Sequence, residues 1–332
     1  MDNLLEKLKS DPMARYVPSL TEIKTICNQY DIGDLVNVDG ELGGLFNVNI
    51  KITTTTGQYV IRVHSGLSRQ NHIEAEKVLL GKLLDQEVPV LTPLNTKSNE
   101  YLIVLHGRFV QLTPFFQGVP FRFSKEQVYQ CGRVLRKLHD ALMYENGIPS
   151  PFWSNYPTHV ILQEGMEKLK QEQTNLHEPA MIRDVEDLYQ IVMENWLPKE
   201  GELIRTIIHA DWHPWNVLFD ETTTIRYVLD FDFLQTGERI HDIAYFLWAI
   251  RESDNNEELG SSFLNGYGAL TSVEVEMLPL ALARVSLFFL CTASFNVDPA
   301  QELQKQMKVQ KPYIKWLLSQ DGMLSVKDLY RM

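Results

Sequence analysis

The sequence predicts an α+β protein in two lobes: a small antiparallel sheet carrying one helix, then a larger, mostly helical lobe. Three observations carry that expectation. The first third alternates apolar and polar residues with the two-residue period of strands. The remainder repeats apolar residues every three to four positions, as helices do. Between them, residues 113–123 contain two prolines and no period. With 332 residues, the chain is long for a single core and comfortable for two lobes. The expected boundaries are residues 1–112 for the first lobe, 113–123 for a hinge and 124–332 for the second lobe.

Taken in order, Ser19-Leu20-Thr21-Glu22 has the form of a capping box, and Leu20, Ile23, Ile26 and Tyr30 follow at helical spacing. Phe46, Val48 and Ile50 then alternate with polar neighbours, as do Tyr59, Ile61 and Val63, with a turn expected over Thr53–Gly57. Ile73, Val78, Leu79, Leu80 and Leu83 form the stripe of a helix that Val88-Pro89-Val90 ends. Tyr101–Val104 and Arg108–Leu112 read as a hairpin turning at His106-Gly107. Ser124-Lys125-Glu126-Gln127 is a second capping box, opening a helix striped by Val128, Cys131, Leu135, Leu138 and Leu142.

The composition, 44% apolar and 22% charged, is that of a folded globular enzyme. A net charge of −12 argues against a nucleic-acid partner, because an acidic surface repels phosphate backbones, and suits a cationic ligand. Cys27, Cys131 and Cys291 are odd in number and far apart, which argues against disulfides or a zinc site and for a reducing cytoplasm. Met1–Ser10 lacks the apolar core of a signal peptide. Met277–Val297 is nearly all apolar but holds Arg284 close to its middle. An arginine there costs a membrane helix roughly 2.5–3.5 kcal/mol, so a buried helix of the larger lobe is expected, with no membrane partner.

The most informative segment runs from His209 through Asp211 to Asn216, an H-x-D-x-x-x-x-N spacing found in kinase catalytic loops. Tyr227-Val228-Leu229-Asp230 follows at a hairpin's distance, with Asp220–Thr224 able to turn between them. The spacing sets the Asp211 carboxylate beside an acceptor hydroxyl and offers the Asn216 amide oxygen to a divalent metal. The returning strand brings Asp230 to the same metal. Mg²⁺ favours such a set, one or two carboxylates completed by phosphate oxygens and water.

These segments resemble the aminoglycoside phosphotransferase and choline kinase superfamily, including homoserine kinase-like and spore-coat kinase-like bacterial members. Gly237-Glu238-Arg239-Ile240-His241-Asp242-Ile243-Ala244 and Leu135-Arg136-Lys137-Leu138-His139 extend the likeness, which covers about Asp31 to Trp248. The resemblance implies a protein-kinase-like fold and transfer of the γ-phosphoryl group of ATP or GTP, with Mg²⁺, to a hydroxyl of a small molecule. It implies Asp211 as the base, Asn216 and Asp230 as metal ligands and Asp232 as their helper through water. His209 is expected to brace the loop, Asp242 to cap a helix or tie the loop down, and His139 to pack.

On the nucleotide side, Gly40–Asn47 precedes the first clear strand, and Gly43, Gly44 and Asn47 are expected to approach phosphates. Arg62 stands where the family's phosphate-anchoring lysine is usual, a departure that keeps the charge but not the ammonium geometry. Glu76 is the expected partner of that anchor, with Glu74 as its competitor. Too few residues separate Asp232 from Asp242 for the activation segment of a protein kinase. A catalytically silent binding or structural protein is the alternative. The acceptor is expected to carry an amine; Trp212 and Trp215 flank the loop, where the favoured reading is that they pack it against the helical lobe and the alternative is that their faces hold the cation.

Overall fold

The computed structural model describes residues 15–145, 147–171, 179–253 and 257–330. The reading of Met1–Ser10 falls outside them. The first helix among the described residues is α1 (Leu20–Cys27), opened by the expected capping box: Ser19 accepts from the Glu22 amide and Glu22 reaches back to the Ser19 amide. Five antiparallel strands follow: β1 (Leu35–Glu41), β2 (Val48–Thr54), β3 (Gln58–Val63), β4 (Ile103–Leu105) and β5 (Arg108–Pro114), in the order β1-β2-β3-β5-β4. Val48, Ile50 and Ile52 of β2 alternate inward and meet Ile61, Val110, Leu112 and the buried face of α1 in a small core. The β4–β5 turn falls at His106-Gly107, both with positive φ, as a tight hairpin requires.

Strand β1 escapes the alternation rule. Only its first and fourth residues are even partly buried, and two register shifts interrupt its pairing with β2. The glycine-rich segment is therefore the turn between two strands rather than a lead-in from the helix. Strand β5 also runs through Thr113 and Pro114, into the stretch read as hinge.

Helix α2 (Gln70–Asp85) buries His72, Ile73, Glu76, Leu79, Leu80 and Leu83. Val78, expected in its stripe, is 59% exposed, because it lies off the arc those positions define. Leu79, Leu80 and Leu83 join the larger core rather than the small one. Helix α3 (Lys125–Leu142) buries all five expected stripe residues. Ser124 caps it, but Gln127 accepts from the Arg122 amide (2.8 Å) and the Ser124 hydroxyl (3.5 Å) rather than from the Ser124 amide, so the predicted box is half made.

Helices α4 (His159–Gln171) and α5 (Pro179–Glu200) lead to strand β6 (Arg205–Ile208), which pairs with β9 (Gln235–Glu238). Between these lies the hairpin β7 (Val217–Phe219) and β8 (Ile225–Val228), turning through Asp220–Thr224 as expected. Among the described residues the remaining α-helices are α6 (Ile240–Ser253), α7 (Glu257–Tyr267), α8 (Ser272–Thr292), α9 (Pro299–Leu317) and α10 (Gln320–Leu329). Among the described residues one helical stretch, Ser272–Phe295, is apolar and long enough to cross a membrane, and 89% of its most apolar window is buried within the protein. Its Arg284 lies over the Trp196 ring at 3.8 Å, donates to the Pro157 carbonyl at 2.6 Å and has Glu238 at 3.9 Å, which offsets part of the cost of burying the charge.

Candidate active site

Strand β6 delivers His209, Ala210 and Asp211 to the edge of the cleft. Ala210 adopts a left-handed conformation (φ 62°), and one carboxylate holds the distorted backbone in place. Asp242, in the first turn of α6, accepts from the His209 and Ala210 amides, each at 2.8 Å. His139 donates to the same carboxylate at 3.0 Å and meets the Tyr267 hydroxyl at 2.9 Å. Burial opposes charge on Asp242; the hydrogen bond and charge of His139, with His241 and His209, outweigh it and hold the carboxyl below its ordinary range. The loop-tying reading of Asp242 fits this geometry. His139 does more than pack, since it links α3 to that carboxylate. His209 is buried and bonds the Leu229 carbonyl at 3.0 Å; burial lowers its pKa, leaving a neutral ring that joins the loop to the strand carrying Asp230.

The Asp211 carboxylate accepts from Asn155 and from Asn216, each at 2.9 Å, with His213 at 3.5 Å. Burial pulls its pKa up, but His213, His209 and Asn155 overcome that and hold it below the usual carboxylate range. Asn216 spends its amide N–H groups on Asp211, which leaves its oxygen for a ligand.

Asp230 stands in a left-handed conformation (φ 63°, ψ 63°) at the end of the strand. Arg62, from β3, lies 2.7 Å from Asp230 and also donates to Asp232. Asn47 donates to Asp232 as well, and its side-chain oxygen accepts from the Ser65 amide at 2.9 Å. It is buried and braces Asp232, and it also lines the second cavity. Enclosure and the Asp232 charge push Asp230 up, against the pull of Arg62. Enclosure also opposes ionisation of Asp232, but Arg62, His64 and Asn47 hold it low.

Glu76 does not pair with Arg62. One of its oxygens is buried without a hydrogen-bond partner, and burial with the nearby Asp232 charge raises its pKa to about 8. Two carboxylates on one guanidinium outcompete a third. Glu74 bonds Gln70 on the exposed face, so Glu76 is the glutamate facing the cleft.

Two cavities meet at the Arg62–Asp230 pair, and both include Gly44 and Asn49 in their walls. The first, about 450 Å³, is lined by Gly43, Val60, Glu76, Phe115, Leu218 and Asn216. Gly44 has φ 125°, and a Cβ there would lie 2.6 Å from the Asn47 carbonyl, so the turn demands glycine. The second cavity, about 270 Å³, holds Asp211. Neither expected tryptophan lines it: Trp212 is buried against His209, in keeping with the packing reading, and Trp215 lines the first cavity. Trp153, Phe288 and Phe289 line the second instead. They and Asn155 carry no motif and come from segments distant in sequence, which is why sequence reasoning missed them.

Among the described residues, no group of three or more His, Cys, Asp and Glu is gathered for a metal. The expected set depends on an amide oxygen besides Asp230 and Asp232. Those two carboxylates already hold one cation, the Arg62 guanidinium, and hard oxygen donors suit Mg²⁺.

The sequence model of the phosphotransferase enzyme family matches residues 42–279. A homoserine kinase of Granulibacter bethesdensis is 29% identical over 281 residues, covering 81% of this chain and 83% of that protein. Among solved structures, a microcompartment-associated aminopropanol kinase superposes with TM-score 0.66 at 21% identity, covering 92% of this chain and 99% of its own. An amicoumacin kinase in complex with AMP-PNP, Ca²⁺ and Ami superposes with TM-score 0.65 at 13% identity, covering 89% and 94%. The family match spans β2 through the catalytic loop and into α8, the elements that build the cleft, and the chain belongs to the phosphotransferase enzyme family.

Proposed function

We propose that the protein transfers the γ-phosphoryl group of ATP, with Mg²⁺, to a hydroxyl of a small amine-bearing molecule. The observation that carries this reading is the meeting of two cavities at Arg62 and Asp230, with the Asp211 carboxylate on the far side. The first cavity takes the nucleotide and the second the acceptor. Homoserine kinase and aminopropanol kinase among the similar proteins support an amino-alcohol or hydroxy-amino-acid acceptor. AMP-PNP and Ca²⁺ in the amicoumacin kinase support a nucleotide and a divalent ion.

In this mechanism Asp211, held ionised by its neighbours, accepts the hydroxyl proton as the oxygen attacks the γ-phosphorus. The new O–P bond forms while the bond to the β-phosphate oxygen breaks, and the nucleoside diphosphate leaves with that electron pair. Asn155 and Asn216 orient the base. A divalent ion held by Asp230, Asp232 and the Asn216 oxygen would supply charge neutralisation to the transferring phosphate. Arg62 leaves the carboxylates for the phosphates, and Asp242 keeps the loop in register. Residues 113–123 serve as the hinge between the lobes. The free, buried cysteines support a reducing, cytoplasmic setting.

The silent alternative has one observation in its favour, the Arg62 guanidinium resting on the carboxylates meant for metal. Nucleoside-diphosphate release separates the two. Acceptor-dependent and Mg²⁺-dependent release from ATP supports the kinase. Nucleotide binding without release, across amino alcohols, hydroxy amino acids and amino sugars, supports the silent protein.

A further inference from the structure

Resting on the phosphotransferase reading, we infer that Trp153 is a positioning residue for the base: its indole N–H fixes the Asn155 amide in the orientation that donates to Asp211. The oxygens of the Asp211 carboxylate are held differently. Oδ2 accepts from Asn216 at 2.9 Å and has His213 Nε2 at 3.5 Å. Oδ1 accepts from the Asn155 amide at 2.9 Å, so its direction depends on which way that amide points. An asparagine amide has a donating end and an accepting end, and rotation about its last bond exchanges them. Trp153 decides between them. Its Nε1–H donates to the Asn155 Oδ1 at 3.3 Å, and an indole N–H can only donate. With the amide reversed, the indole would face an N–H and the carboxylate would face a carbonyl oxygen. Both hydrogen bonds would be lost together, and a charged oxygen would meet a partial negative charge.

The segment that carries both residues is anchored on either side of them. Before them, Arg69 donates to the Ser150 carbonyl at 3.2 Å, and His72 of α2 bonds the Pro149 carbonyl at 2.7 Å. After them, the Pro157 carbonyl accepts from Arg284 of α8 at 2.6 Å, and the Tyr156 hydroxyl donates to Glu238. The Trp153 ring itself meets Phe295 edge to face, with centroids 6.1 Å apart, and is 7% exposed. A donor locked by packing and by an anchored backbone orients its partner more firmly than a mobile one. Trp153, Asn155 and Asp211 all line the second cavity, so this chain of bonds ends where the acceptor hydroxyl is proposed to give up its proton. Trp212 gives the contrast: its indole nitrogen is buried with no hydrogen-bond partner among the described residues, whereas Trp153 spends its donor on the site.

The test is a double-mutant cycle on the full-length protein: Trp153→Phe, which keeps a ring and loses the N–H, Asn155→Ala, and the two combined. Transfer from ATP with Mg²⁺ is measured with L-homoserine and with 3-amino-1-propanol as acceptors, and each variant is melted. Asn155→Ala should lower kcat about 10- to 100-fold, the scale of a hydrogen bond to a charged group. Trp153→Phe should lower kcat about 3- to 10-fold, the scale of a neutral hydrogen bond, and leave ATP affinity near wild type. In the Asn155→Ala background the same change should cost less than about 2-fold, because the indole acts through the amide. Additive losses, or wild-type kcat in a Trp153→Phe protein that melts like wild type, overturn the inference. If Trp153→Phe fails to fold, or wild type transfers to neither acceptor, the Trp153 indole N–H resonance decides by NMR. It should shift and exchange faster with solvent in Asn155→Ala; an unmoved resonance overturns the inference. A resonance that moves in a protein that transfers to neither acceptor upholds the inference and faults the phosphotransferase reading instead.

Discussion

The guanidinium of Arg62 lies 2.7 Å from the carboxylate of Asp230, joining a strand of the small sheet to the end of the catalytic hairpin, 168 residues away in sequence. The pair sits where the two cavities meet, and the cation that neutralises Asp230 and Asp232 is the one proposed to meet phosphate. Replacing it separates the two roles. Arg62→Ala should bind Mg²⁺ alone about 10-fold more tightly, since no resident charge must be displaced, and bind ATP about 10-fold more weakly. Arg62→Lys should recover part of the nucleotide affinity. Fluorescence titrations of metal and nucleotide read both; nucleotide affinity unchanged in Arg62→Ala would show that the anchor lies elsewhere.

Asp230→Ala should remove metal-dependent nucleotide binding, and Asn216→Ala should weaken it less, because a neutral amide supplies less charge than a carboxylate. Nucleotide titration with and without Mg²⁺ separates the two. Tight, metal-dependent binding that survives in Asp230→Ala would count against the metal assignment.

Glu76 predicts a pH dependence in the metal-free protein. Its carboxyl is raised to about 8 by burial and the Asp232 charge, against an ordinary value of about 4.3 in the unfolded chain. The folded protein therefore holds a proton the unfolded chain has lost. Its contribution to stability is complete below the unfolded value and disappears as pH rises toward about 8. Glu76→Gln should melt with a flatter pH profile, gaining on wild type as pH rises from 5 to about 8. Parallel profiles in thermal melts would show that Glu76 is ionised throughout.

Asp242 accepts both backbone amides that open the catalytic loop, and Asp242→Ala leaves these buried donors unpaired. Unfolding stability should fall by about 2–4 kcal/mol, and turnover should fall with it as Asp211 loses its position. Denaturant titration and steady-state kinetics on the same preparation test this; full stability would mean that water or a neighbour replaces the carboxylate.

What the sequence made legible was local. The spacing from His209 to Asn216, the hairpin to Asp230 and the Ser19 cap each depend on residues close in the chain, where turn geometry and hydrogen bonding are encoded side by side. Strand β1 was missed because its exposed faces and bulges erase the alternation that marks a strand. The engagement of Arg62 with Asp230 and Asp232 in place of Glu76 depends on the competition of three carboxylates across lobes, which no single segment records. The second cavity was hidden for the same reason: Asn155, Trp153 and Phe289 converge on Asp211 only through the packing of the loop after α3 against α8.

Asp211 is proposed to take a proton from the acceptor during phosphoryl transfer. Single-turnover transfer from γ-labelled ATP, compared in wild type and Asp211→Asn at saturating nucleotide, tests it most directly. The expected result is a loss on the order of 10²–10⁴ in the transfer rate, with ATP affinity close to wild type. Transfer by Asp211→Asn at the wild-type rate would contradict it.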